Sequence, residues 1–178
     1  MHVRSVFLEV GSPEEETFDH AEIIQRENPE PFVVRQCFAA SGDPSRGKAA
    51  FIADLKNRKF GDSLLMLCGE SNIVSTMRGT GELHDPFGFI ELLREMEIRL
   101  ILNPIHDYMR RYEMRVKRRE YSRGGVTVLS VWNCGKGRES ETPWTAFRDG
   151  EERTASVLQL AQPFPDRPDI RIGIVDVG

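Results

Sequence analysis

The chain has 178 residues, 39% of them apolar and 29% charged, and carries a formal charge of −4. That length fits a single domain over residues 1–178, and the composition argues against disorder through most of it. No apolar run approaches the roughly 20 residues a membrane span needs. Met1-His2-Val3-Arg4 lacks the apolar core of a secretory signal, and three cysteines without a leader point to free thiols in a reducing, cytoplasmic setting.

Charge is unevenly spread. Segment 108–124 holds seven Lys/Arg and two Glu, a net of +5, whereas segment 9–30 holds eight acids and one arginine. Such blocks are most often solvated faces. The sharper reading of the basic one is an anionic partner or a subunit interface, with the acidic segment of a second copy as its complement in a homo-oligomer. Residues 1–30 read as an acidic N-terminal arm.

In chain order, Arg4–Val10 reads as a strand closed by Gly11-Ser12-Pro13. Ser12 followed by Pro13 and a run of acids predicts a helix that stops before Asn28-Pro29-Glu30-Pro31. Phe32–Phe38 predicts a strand, Ser41-Gly42-Asp43-Pro44 a turn, and Ala49–Arg58, with Phe51, Ile52 and Leu55, a helix. Ser63–Cys68 is a continuous apolar run between glycines, read as a strand buried on both faces. Phe87–Glu97 predicts a helix and Ile98–Leu102 a buried strand ended by Asn103-Pro104. Tyr108–Ser122 predicts a helix stopped by Gly124-Gly125, with Met109, Tyr112 and Val116 on one stripe and Arg111, Arg115, Arg118 and Arg119 on the next. Val126–Trp132 is a strand, and Trp144–Phe147, Ala155–Leu160 and Ile170–Val177 are shorter ones. Strands alternating with helices give the fold class: α/β, with a mixed, largely parallel central sheet flanked by helices.

Chemistry in open α/β sheets gathers at the carboxyl ends of strands. Cys68 ends one apolar strand, Asn103 and His106 follow a second, and Asn133 follows a third. Parallel strands would bring these groups to one edge. Cys68 is then a nucleophile candidate, Glu70 an adjacent carboxylate able to activate it, and Asn72, Asn103, His106 and Asn133 are substrate-binding candidates. The plainer readings are a buried small hydrophobe for the thiol and cap or turn residues for the others. The histidines show no paired ligand spacing and Cys37, Cys68 and Cys134 form no Cys-x-x-Cys pair, so no metal is implied. Gly79-Thr80-Gly81 is too short for a phosphate loop, so no nucleotide cofactor is implied either.

The run Phe60-Gly61-Asp62-Ser63-Leu64-Leu65-Met66-Leu67-Cys68, with Glu70 two residues on, is similar to the nucleophile strand of the nitrilase superfamily, the carbon–nitrogen hydrolases. Ile101-Leu102-Asn103-Pro104, Val131-Trp132-Asn133-Cys134-Gly135 and Trp144–Gly150 resemble the family's succeeding motifs, so the likeness spans 60–150. It implies a reduced α-β-β-α sandwich and hydrolysis of an amide, ureide or nitrile through a cysteine thiol, without a cofactor. It also implies a lysine, a base glutamate and a second glutamate. At the lysine's place this chain has Arg35, at the second glutamate's Asp43, and Glu9 at the end of the first strand is the nearest stand-in for the base. Arg keeps the charge but not the compact ammonium geometry. The chain is also shorter than family members. Two other readings follow. One is a catalytically impaired interaction module. The other is a nucleic-acid or nucleotide binder using the basic helix and the neighbouring Tyr108, Tyr112, Tyr121 and Trp132.

Overall fold

The computed structural model describes residues 5–12, 17–38, 44–77, 79–105, 112–132, 142–161, 165–166 and 172–176. The chain opens with strands β1 (Ser5–Ser12), β2 (Thr17–Gln25) and β3 (Asn28–Arg35), paired as an antiparallel meander. The helix expected after Ser12-Pro13 is therefore strand β2. A proline followed by acids imitates a helix start, but the decisive pattern comes later. Ala21 and Ile23 are both 1% exposed and lie two residues apart, which puts them on one face of a strand. Arg26-Glu27 makes the turn into β3, where Val34 pairs with Ala21.

Next come α1 (Pro44–Asp54), a 3-10 turn at Leu55–Arg58, β4 (Lys59–Phe60) and β5 (Ser63–Leu65). Strand β5 is shorter than the apolar run predicts: Cys68 opens a second 3-10 turn, Cys68–Asn72. A small hairpin, β6 (Ser75–Thr76) and β7 (Leu83–His84), leads to α2 (Phe89–Glu95). Then follow β8 (Leu100–Ile105), α3 (Tyr112–Tyr121), β9 (Thr127–Trp132), β10 (Trp144–Arg148) and β11 (Glu151–Glu152). A 3-10 turn at Thr154–Ser156 precedes β12 (Leu158–Gln159), which pairs with β13 (Gly173–Ile174).

The main sheet has six strands in the order β11-β10-β9-β8-β5-β4. It is mixed, and its parallel part is confined to the centre, β5-β8-β9. The connections explain this. Helix α2 lies between β5 and β8, and α3 between β8 and β9, as parallel neighbours require. The outer pairs are tight hairpins, which are antiparallel by construction. Gly61 (φ 66°) turns β4 into β5, and Asp149 and Gly150 (φ 52° and 77°) turn β10 into β11.

Alternate residues of the central strands face two different layers. Leu64, Met66, Ile101 and Val128 pack with Phe51 of α1, Phe89 and Leu93 of α2 and Tyr121 of α3. Leu65, Leu67 and Leu102 point the other way and pack with Ala21, Ile23 and Val34 of the meander. Helices thus cover one face and a second sheet covers the other. The N-terminal segment expected to be a solvated arm supplies part of that second sheet. The Asn103-Pro104 pair does not end the second central strand, as expected, but lies inside β8. Met66 N–H still donates to the Leu102 carbonyl at 2.9 Å, and the Met66 carbonyl that an N–H at position 104 would reach accepts from Asn103 Nδ2 instead, so the missing N–H of Pro104 is made good.

Candidate active site

The register of the central strands builds the site. Ile105 pairs with Trp132 and Asn103 with Ser130, and all four lie on the helix-covered face at the carboxyl end of the sheet. Cys68 and Met114 pack against Ile105 and Trp132. Cys68 is half-buried and not in a disulfide. Its turn is closed by two opposed hydrogen bonds: the Glu70 backbone N–H donates to the Leu67 carbonyl at 3.0 Å, and the Leu67 N–H donates to Glu70 Oε2 at 2.8 Å. The Ser71 hydroxyl donates to the Cys68 carbonyl at 2.8 Å.

Helix α3 holds this turn from one side. Lys117 Nζ donates to Asn72 Oδ1 at 2.7 Å and to the Ser71 carbonyl at 3.4 Å, and the Tyr121 hydroxyl donates to the same carbonyl at 3.2 Å. Arg118, 2% exposed, donates from Nε to Ser130 Oγ at 2.6 Å, from Nη1 to the Met114 carbonyl at 3.1 Å and from Nη2 to Asn103 Oδ1 at 3.1 Å. Every one of these acceptors is neutral. Among the described residues no carboxylate is bonded to Arg118, and the acidic groups that act on its charge are Tyr121 and Cys68. Burial pulls the Arg118 pKa down to about 10, and those two groups oppose the shift. Burial, helped by the Arg118 and Lys48 charges and opposed by Glu113, lowers Lys117 to about 8. Burial also raises the Tyr121 phenol well above its usual range.

A second buried cluster holds the turn from the meander side. Glu70 is fully buried. Its Oε2 accepts from Arg58 Nη1 at 2.8 Å as well as from Leu67, and its Oε1 accepts from the Cys37 N–H at 2.7 Å. Arg58, also fully buried, donates from Nε to Asp54 Oδ2 at 2.8 Å and from Nη2 to the Arg35 carbonyl and to Cys37 Sγ, and it lies over the Phe51 ring. Burial raises Glu70 to about 7 against the pull of the Arg58 charge and the two backbone donors. Burial likewise raises the Cys37 thiol, with Arg58 opposing.

The residues expected at the site divide accordingly. Cys68, Asn72 and Asn103 are brought together. Asn103, however, is 2% exposed and donates from Nδ2 to the Met66 carbonyl at 2.6 Å, so it is scaffold and not a substrate contact. Asn72 orients Lys117. Glu70 is not the base next to Cys68: both its oxygens are committed to Leu67, Cys37 and Arg58. Arg35 is exposed and lines a cavity of about 330 Å³ with Phe32, Val33, Val34, Asp54 and Asn57, a cavity in which Cys68 has no part. Glu9 lies in β1, paired with Ala21, and its side chain is outside the described part. Asp43, His106 and Asn133 lie outside the described residues. Arg58, Lys117 and the inward direction of Arg118 were not foreseen. For α3 the available signal was Lys117 and Arg118 falling on one stripe with Met114 and Tyr121, whereas Tyr112, on the stripe expected to be apolar, is exposed; Arg58 carried a like signal, falling on the stripe of Phe51 and Leu55 in the predicted helix.

The basic block differs from its solvated expectation. Lys117 and Arg118 point inward, Arg115 pairs with Glu152 at 2.6 Å and Arg123 with Glu120 at 2.8 Å. Among the described residues no three His, Cys, Asp or Glu side chains gather as metal ligands, and no helix is long and apolar enough to cross a membrane. Compared with protein-family models, with curated proteins and with solved structures, the chain matches none of them.

Proposed function

We propose that the protein is a thiol-dependent hydrolase of a non-peptide carbon–nitrogen bond in an amide, ureide or nitrile, with Cys68 as its nucleophile. The observation that carries this reading is that Cys68 packs on Ile105 and Trp132 at the sheet edge where the buried Arg118 guanidinium bonds Asn103 and Ser130, with no carboxylate bonded to that guanidinium among the described residues. Arg118 lies beneath the carboxyl edge of three parallel strands, and its positive charge, on which Cys68 acts, favours a thiolate at that edge.

The reaction runs in two halves. A base removes the Cys68 proton, and the sulfur forms a bond to the carbonyl carbon as the carbonyl electrons move to oxygen. With an amide or ureide the intermediate then collapses, the carbon–nitrogen bond breaks, and the amine leaves with the proton the base returns; a nitrile instead gives a thioimidate, to which one water adds before ammonia leaves and the same thioester remains. Water attacks the thioester, the carbon–sulfur bond breaks, and the acid and the thiol are released. Arg118, whose bonds to Ser130, Asn103 and Met114 fix it in place, stabilises the anionic sulfur by its field. Since Glu70 is committed elsewhere, Glu9, Asp43 and His106 are the remaining candidates for the base. Glu9→Gln, Asp43→Asn and His106→Gln, made singly, identify it by loss of turnover.

A panel of amides, ureides and nitriles assayed with the native protein and with Cys68→Ala tests the proposal. Product release that disappears with Cys68→Ala is expected. Turnover that survives the change refutes the assignment.

A further inference from the structure

The two hydrogen bonds between Leu67 and Glu70 enclose only Cys68 and Gly69. One of them depends on the Glu70 side chain. The same carboxylate reaches the backbone of Cys37, just beyond β3, and the guanidinium of Arg58 at the end of α1's following turn. It therefore joins the meander, the α1 layer and the cysteine turn at one point. A short turn has few bonds of its own, and a fully buried ion pair is an expensive way to close one unless its geometry matters. The neighbouring glycine leaves the backbone at Cys68 free to adopt other angles when that closure is lost.

We infer that Glu70 is a positioning residue for Cys68, holding the thiol at the sheet edge through the Leu67 N–H, with Arg58 fixing the carboxylate. This rests on Cys68 being the nucleophile. It assigns Glu70 no proton-transfer step.

The test uses iodoacetamide and mass spectrometry to read the alkylation rates of Cys68 and Cys37 separately in the full chain. Glu70→Gln keeps the size but cannot accept from Leu67, Cys37 and Arg58 together. Arg58→Met combined with Glu70→Gln leaves no buried unpaired charge and serves if the single variant does not fold. Asp85→Ala is the control for general destabilisation. It removes a carboxylate that accepts from the Phe89 and Ile90 N–H groups at the start of α2 and is not hydrogen-bonded to the cysteine turn among the described residues.

The expected result is fast Cys68 labelling in the native protein, slowed tenfold or more by the Glu70 changes and unmoved by Asp85→Ala. With a turned-over substrate, kcat falls while KM holds. Native-like Cys68 labelling in a folded Glu70 variant overturns the inference and leaves the hydrolase reading standing. Cys68 labelling in the native protein no faster than that of Cys37 overturns that reading and the inference with it.

Discussion

Arg118 and Lys117 are adjacent in sequence and both buried, yet burial acts on them with different consequences. Arg118 stays charged, and Cys68 acts on that charge. Arg118→Met should slow Cys68 alkylation tenfold or more, and Arg118→Lys should restore only part of the rate. A lysine cannot reach Ser130, Asn103 and the Met114 carbonyl at once. Lys117, lowered to about 8, is a pH-dependent liability. Its folded pKa lies below its unfolded value, so between about 8 and 10.5 the unfolded chain holds more protons and the Lys117 contribution to stability rises with pH. Native protein should therefore gain on Lys117→Met across that window, by about 3 kcal/mol at most. Denaturant unfolding at pH 8 and pH 10.5 checks it; a constant difference between the two proteins contradicts it. The gathering of Cys68, Asn72 and Asn103 at the carboxyl side of the central sheet was legible because parallel strands run their ends to one edge, although β5 stops before Cys68 and β8 runs past Asn103. Side-chain direction was not. Glu70 is two residues from Cys68, but its turn aims it at Arg58, and only the long-range packing of α1 and β3 decides that.

Strand β2 tests the layer arrangement. Ile23→Ala, which empties space between the meander and Leu65 and Leu67, should cost about 2–5 kcal/mol. Val33→Ser, next to buried Val34 but 44% exposed, should change stability by about 0.5 kcal/mol or less. Denaturation midpoints of the two variants measure the contrast, and equal costs would contradict the register. The elements that sequence made legible are those with long apolar runs or clear punctuation: β5, β8 and β9, α2, and the Gly124-Gly125 stop after α3. Strand β2 was hidden behind a helix-start signal that its own period of two overrides. Pro104 looked like a strand end because sequence does not reveal that the Asn103 side chain makes good its missing N–H. The hairpins at both sheet edges were likewise hidden, and with them the restriction of parallel pairing to the centre.

Across the whole molecule, the Arg58–Glu70 pair links the meander, the helix layer and the sheet edge. Arg58→Met alone leaves a buried carboxylate without its counter-ion and should cost about 3–5 kcal/mol. Adding Glu70→Gln should recover a large part of that stability while Cys68 reactivity stays low. A double-mutant cycle in denaturant measures the coupling, and strictly additive costs would contradict it. Recovery of stability without reactivity would separate the two, with the pair replaceable as a fold element but not as the clamp on the cysteine turn. The central claim is that the Cys68 sulfur bonds covalently to a substrate carbon. Intact-mass analysis of acid-quenched turnover, followed by peptide mapping, tests it most directly. An acyl or imidate mass on the Cys68 peptide, absent from Cys68→Ala, is the predicted result. Turnover with no adduct on Cys68, or with the adduct on another residue, would contradict it.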